Sequence, residues 1–199
     1  MGQPKLLLPW GETSVLGHQI GIWTKLGAGQ IGVVYAETGS AIREELDRLS
    51  FPPQDRILNR RPEEGMFSSI RAAARWNGWM TGLTHWAITL GDQPHLRLET
   101  LQAVLELSAR EPKKICQPRR LGHLRHPVII PNALFQQLRD AAGPTMKQFL
   151  ASQPIASCEI DDPGLDLDID EPADYQRALA LHAPGTVKTN RQVPLEESK

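Results

Sequence analysis

Apolar residues along this chain fall into two patterns, short unbroken runs and helical stripes, which alternate as in an α/β protein. Residues 15–26 space their apolar side chains as a helix does, interrupted by Gly17 and Gly21. Ile31–Gly32–Val33–Val34–Tyr35 reads as a buried strand. A charged helix follows over 41–49, and Phe51–Pro52–Pro53 stops it. Arg56 to Asn59 predicts a short strand, and residues 65–76 a helix with Met66, Ile70 and Ala73 or Ala74 turned inward. The clearest strand is Trp86 to Leu90, which ends in Gly91–Asp92–Gln93–Pro94. Leu98, Leu101, Val104 and Leu105 then form a helical stripe. Val128–Ile129–Ile130 is a further apolar run, followed by helices over 133–139 and 145–150. Pro172 suits the first turn of a last helix that ends near His182. From Ala183 the chain is polar and aperiodic, which predicts one domain over 1–182 and a flexible tail over 183–199.

Composition narrows the classes without choosing among them. The 199 residues are 40% apolar and 23% charged, and 22 Lys and Arg balance 23 Asp and Glu for a net charge of −1. A nucleic-acid-coating protein needs a basic excess, so nucleic acid is not expected as a partner. No run approaches the roughly 20 apolar residues of a membrane span and no secretory leader pattern appears, so a cytoplasmic protein is expected. Two cysteines without CxxC spacing exclude a disulfide scaffold and a Cys-rich zinc site.

The charge is unevenly placed. Arg110, Lys113, Lys114, Arg119, Arg120 and Arg125 form a basic stretch, and residues 159–174 hold acids with no Lys or Arg. Each is either a solvated face or, more sharply, a basic lip for a phosphorylated substrate and an acidic corner for a divalent cation. Asp92 follows directly on a strand, where ligands of open α/β sheets bind. It either holds a cation against a phosphate or caps the next turn. If Leu167 and Ile169 enter the core, Asp168 and Asp170 share the opposite face, as cation ligands or as a cluster at a helix start. Lys5 is a phosphate-binding point charge or a surface residue. Gly65 to Ile70 is a small-ligand clamp or a Ser-rich cap. His123 and His126 lack a third ligand nearby, so contact with a phosphate or substrate is preferred to metal binding. The five tryptophans look too scattered for a stacking platform.

In order and together, these segments resemble the MobA-like nucleotidyltransferases, most closely the molybdenum cofactor cytidylyltransferase branch. The motifs are Met1 to Gly11 (Met-Gly-x-Pro-Lys-Leu-Leu-Leu-Pro-Trp-Gly), then Asn59 with Gly65, Met66 and Ser69, then Leu90 to Pro94. His126–Pro127 and Asp168 to Tyr175 (Asp-Ile-Asp-x-Pro-x-Asp-Tyr) complete them. The resemblance implies a Rossmann-like sheet of the nucleotide-diphospho-sugar transferase type, flanked by helices. It implies an enzyme that moves CMP from CTP to the phosphate of molybdopterin and releases pyrophosphate. It assigns Lys5 to the transferred phosphate and as the catalytic residue, Asp92 and Asp170 to Mg²⁺, and Asp168 as their neighbour. Leu8, Asn59, Gly65, Ser69 and Asp92 join Lys5 in seating the nucleotide, and Arg125 and His126 meet the pterin phosphate. Leu7 to Trp10 resembles the CTP-using rather than the GTP-using branch. A molybdoenzyme or a maturation chaperone is the implied protein partner.

The family places a strand and a Gly-rich loop of the Leu-Ala-Ala-Gly-x-Ser-x-Arg type just before the Met-Gly that is here Met1–Gly2. Arg125 replaces a usual Gly, and a Gly-Asp-x-Gly-like turn is reduced to Ala142–Gly143–Pro144–Thr145. The expectation is a sheet without its first strand and little turnover by the 199-residue chain as it stands. The alternatives are a non-catalytic relative that binds a nucleotide, a pterin or a protein, and a nucleotidyltransferase acting on another small phosphate.

Overall fold

A computed structural model gives the fold of residues 4–141 and 145–182. The tail over 183–199, Met1–Gly2 and the reduced turn at 142–144 lie outside the described residues. A two-stranded hairpin, β1 (Pro9–Trp10) and β2 (Thr13–Ser14), leads into α1 (Val15–Lys25), which Ser14 caps by accepting from the Gly17 amide. Next come β3 (Val33–Ala36), α2 (Ser40–Arg48), β4 (Arg56–Asn59) and α3 (Met66–Arg75). The second half holds β5 (His85–Ile88), α4 (Leu98–Arg110), β6 (Ile115–Arg120), β7 (His123–Leu124) and β8 (Val128–Pro131). It ends with α5 (Asn132–Gln137), α6 (Met146–Ala151), β9 (Ile155–Glu159) and α7 (Pro172–His182).

The larger sheet runs β5–β8–β6–β9, with β7 folded back on the end of β6. β8 is antiparallel to both β5 and β6, whereas β9 is parallel to β6. Alternation along the strands divides the core into two layers. Ile115, Val128 and Ile130 face α3, α5 and α6 through Phe67, Phe135 and Phe149. Cys116 and Ile129 face α1 and α4 through Trp23, Leu101 and Val104. A mixed sheet flanked by helices is the predicted α/β class.

β3 and β4 form a separate parallel pair. A cavity of about 300 Å³ lies between β3 and β5, lined by residues 31–34 on one side and 86–91 on the other, with α1 and α3 as walls. Among the described residues β3 pairs only with β4, and β5 only with β8, so each strand bordering the cavity keeps one open edge. All four residues of β3 are therefore half-buried, where the sequence pattern predicts a buried strand.

Several other expectations change. The basic stretch contains β6, whose Ile115 to Pro118 are buried at the centre of the larger sheet, because β8 and β9 flank it on opposite edges. Its arginines emerge only at the strand end, where Arg120 meets the acidic stretch. Arg120 pairs with Asp161 and Asp166, and Arg125 with Asp166 at 2.6 Å. The two charged runs meet at these four residues, while Lys114 pairs with Glu111 and Arg119 donates to Ser157 and the Gly122 carbonyl. Met66 is 59% exposed rather than inward, since α3 turns Phe67, Ile70 and Ala74 to the core instead. Three of the supposedly scattered tryptophans form a ladder beside the cavity. Trp76 meets Trp79 edge-on, Trp79 meets Trp86, and Trp86 stacks on Phe135 with centroids 4.5 Å apart.

Candidate active site

The chemistry-bearing residues gather where the C-terminal end of β5 meets the start of the chain. Residues 5–7 form a single 3-10 turn. That turn sits directly on Gly91, where an added Cβ would lie 2.7 Å from the Leu6 side chain. A side chain at Gly91 would push the end of the Leu6 side chain aside, and the close approach of the two segments brings Lys5 over Asp92. The Lys5 ammonium donates to Asp92 Oδ2 at 2.5 Å and to Asp170 Oδ1 at 2.9 Å. Burial opposes its charge, but the hydrogen bonds and attraction of the two carboxylates outweigh that and hold its pKa above the usual lysine value.

Asp170 reaches this point on a segment that is extended without being a sheet strand. Ile169 is fully buried and its amide donates to the Asp92 carbonyl at 3.2 Å, which ties the two loops together. Asp168 and Asp170 accordingly both face outward, the alternation expected of them. Gln93 donates to Asp168 at 2.8 Å. Asp174 accepts from the amides of Asp170 and Glu171 and so fixes the entry to α7. Tyr175 donates to the Pro9 carbonyl and anchors that helix on the β1 hairpin. Gln93 and Asp174 lie within the quoted motifs, but nothing in the spacing marks them as the residues that hold the acids in place. Asp162 falls within the acidic stretch, but nothing in its spacing marks it for a structural role. It is buried, and accepts from Thr100, from the Arg97 amide and from the Gly164 amide, so it locks the loop before Leu167 onto the start of α4.

His126 lines the cavity mouth, with Nδ1 3.4 Å from the Ile88 carbonyl. Burial pushes its pKa below the usual histidine value, against the pull of that carbonyl and of the Asp168 and Asp92 charges. Its neighbour Arg125 points its guanidinium at Asp166 instead of joining this group.

The nucleotide-seating group is only partly brought together. Leu8 is buried in a core cluster with Trp10, Val15, Ile169 and Ala178, so its side chain is not available to a ligand. Asn59 is 3% exposed and consumed locally. Its amide donates to Ser68 and Ser69 while its Oδ1 accepts from the Arg61 amide. It shapes the 59–65 loop rather than offering a free edge. Gly65 takes φ +82° at the start of α3, a conformation that disfavours any side chain. Ser69 does line the cavity.

Among the described residues no group of three or more His, Cys, Asp or Glu converges as a metal cage. A cation at Asp92 and Asp170 would have two protein carboxylates and would complete its shell with water and ligand oxygens. Magnesium-like ions favour this arrangement over an all-protein cage, so the donor set fits a hard divalent ion.

Residues 1–157 match the MobA-like NTP transferase domain. The chain belongs to that family. It is 32% identical over 142 residues to the bifunctional protein GlmU of Pseudomonas fluorescens, a match covering 70% of this chain and 27% of that protein. The chain thus spans about a quarter of that curated relative. The crystal structure of Rv0371c from Mycobacterium tuberculosis H37Rv superposes with a TM-score of 0.73 at 26% identity, over 90% of both chains. A manganese complex of the same protein superposes at 0.68 with 25% identity, over 89% of this chain and 91% of that one. Molybdopterin-guanine dinucleotide biosynthesis protein A from Archaeoglobus fulgidus shares the fold, with a TM-score of 0.63 at 14% identity over 90% and 91% of the two chains. No helix among the described residues is long and apolar enough to cross a membrane.

Proposed function

We propose that this member of the MobA-like family transfers CMP from CTP to the phosphate of molybdopterin. An oxygen of the pterin phosphate attacks the α-phosphorus of CTP, a new P–O bond forms, the α–β bridging bond breaks, and pyrophosphate leaves. The observation that carries the reading is the joining of Lys5, Asp92 and Asp170 at one point beside an open cavity. Asp92 and Asp170 would hold Mg²⁺, which when bound neutralises charge on the triphosphate and the leaving pyrophosphate. Lys5 stays charged throughout the physiological range and has two hydrogen-bond partners that a cation would take over, which frees its ammonium for the transferred phosphate. Asp168 and Gln93 steady the acidic loop from outside. His126, held neutral by burial, contributes a ring nitrogen at the cavity mouth for the acceptor side. The CTP preference rests on the resemblance of Leu7 to Trp10, and a molybdoenzyme or its maturation chaperone is the proposed recipient of the product.

The test is pyrophosphate release from CTP and GTP in the presence of molybdopterin and Mg²⁺, with the nucleotide product identified by mass. CTP-dependent product is expected. Equal or better use of GTP overturns the cytidylyl assignment, and turnover with other phosphates but not with molybdopterin overturns the acceptor. One observation favours a second reading, a binding protein without turnover: the sheet is divided between β3 and β5 beside the site. Nucleotide binding without pyrophosphate release would select it.

A further inference from the structure

The outer edge of β4 carries a second cleft, separate from the Lys5 site. Among the described strands β4 pairs only with β3, so its other edge is open. Along that edge lies a cleft of about 430 Å³, walled by the strand and its following residues on one side and by α3 on the other. Residues 68, 71, 72 and 75 of α3 line this cleft, while residues 66, 69, 70 and 73 line the cavity between β3 and β5. The two sets are adjacent stripes of one helix. The bonds from Asn59 to Ser68 and Ser69 stand at the division between them.

The cleft is strongly basic. Arg56, Arg60, Arg61, Arg71 and Arg75 line it, against Glu64 as the one acid. The carboxylates that answer these arginines are exposed. Asp47, 69% exposed, pairs with Arg56, Glu64 pairs with Arg61, and Asp140, 92% exposed, stands 3.9 Å from Arg75. Arg71 lies over the Phe67 ring and donates to the Ala141 carbonyl, and Arg75 donates to the Arg139 carbonyl, so both guanidiniums are held in place along the wall. Half-buried Trp76 adds an aromatic surface to the lining.

We propose that this cleft binds an extended acidic segment of a partner protein as a strand added to the open edge of β4. The arginines come from both walls, Arg56, Arg60 and Arg61 from the strand side and Arg71 and Arg75 one helical turn apart on α3, so the positive charge is spread along the cleft. β4 alone spans roughly 13 Å at about 3.3 Å per residue, and Arg71 and Arg75 stand roughly 6 Å apart along α3. An extended peptide presents side chains of one face about 7 Å apart, a spacing close to that of Arg71 and Arg75. The strand edge supplies main-chain hydrogen bonds, and the guanidinium forks supply selection for carboxylates.

A fluorescein-labelled Glu-Val-Glu-Val-Glu-Val peptide, titrated into the full chain and followed by anisotropy, tests the proposal. Saturable binding is expected, weakened at least tenfold between 50 and 500 mM salt and at least tenfold by the exposed double substitution Arg61→Glu and Arg75→Glu. A Lys-Val peptide of the same length should not bind. The same acidic peptide N-methylated at alternate amides keeps its charge and loses the strand bonds, so binding at least tenfold weaker is expected with the unaltered protein. Equal affinity for the N-methylated peptide, or full displacement by equimolar tripolyphosphate, would show a diffuse anion surface and overturn strand addition. Absence of binding at low salt would overturn the proposal outright.

Discussion

Asp92 and Asp170, from loops far apart in the sequence, accept hydrogen bonds from one ammonium, that of Lys5, at 2.5 and 2.9 Å. Two carboxylates so close repel unless a cation lies between them. Lys5 supplies that cation here, and a divalent ion would compete for the same oxygens.

This competition gives the substitutions opposite signs. Lys5→Ala should bind Mn²⁺ in the absence of nucleotide more tightly than the unaltered chain, by several-fold in calorimetry, while losing nucleotidyl transfer. Asp92→Asn and Asp170→Asn should each weaken Mn²⁺ at least tenfold with far-UV circular dichroism unchanged. Weaker metal binding by Lys5→Ala would show that Lys5 helps hold the ion rather than competing with it.

Asn59 should act through the loop it shapes. Removing its amide leaves the buried Ser68 hydroxyl oxygen short of a donor, a cost of about 1–3 kcal/mol. Asn59→Ala is expected to lower stability by that amount in urea unfolding. It should also raise the KM for nucleotide more than it lowers kcat. A fall in kcat alone, at unchanged stability, would mean that Asn59 touches the reacting groups.

Acid should loosen the fold in two stages. Burial holds His18, His95, His126 and His182 below the usual histidine value, with His182 adding to the effect at His18. The unfolded chain takes up protons near pH 6.5, before the folded one does. Stability is therefore full above about pH 6.5 and falls as pH drops toward the lower folded values. Asp166 is partly desolvated, but the hydrogen bonds of Arg125 and Arg120 lower its pKa, and its contribution is lost only at still more acid pH. The melting temperature should decline from pH 7 to 5, and less steeply in His95→Gln, whatever that variant's starting stability. An unchanged slope would remove His95 from the account.

The cavity between β3 and β5 should accept an extended strand. A strand and loop of about 15–25 residues joined ahead of Met1 is expected to raise both thermal stability and turnover. Intrinsic fluorescence should change as well, because Trp23, Trp79 and Trp86 line the cavity. Comparable stability, turnover and emission in the two chains would show that the cavity serves another purpose.

Local periodicity and short motifs determined much of this protein. The spacing of Val15 to Lys25, of Met66 to Arg75 and of Pro172 to His182 specifies helices, because burying one face of each requires that repeat. The alternation of Leu167 and Ile169 with Asp168 and Asp170 sets which acids face out, and ordered motifs mark Lys5, Asp92 and Asp170 as candidates. The tertiary structure decided whatever depends on partners distant in sequence. Ile115 to Arg120, carrying a proline and two arginines, is a central strand only because β8 and β9 pair with it. Arg120 and Arg125 find counterions in Asp161 and Asp166 only because the end of β6 stops beside residues 161–166. Leu8 is a core residue, and Asn59 a loop clamp, because of what folds around them. Periodicity records the face an element must bury, a local requirement, whereas a side chain's partners are fixed by pairings that no single segment encodes.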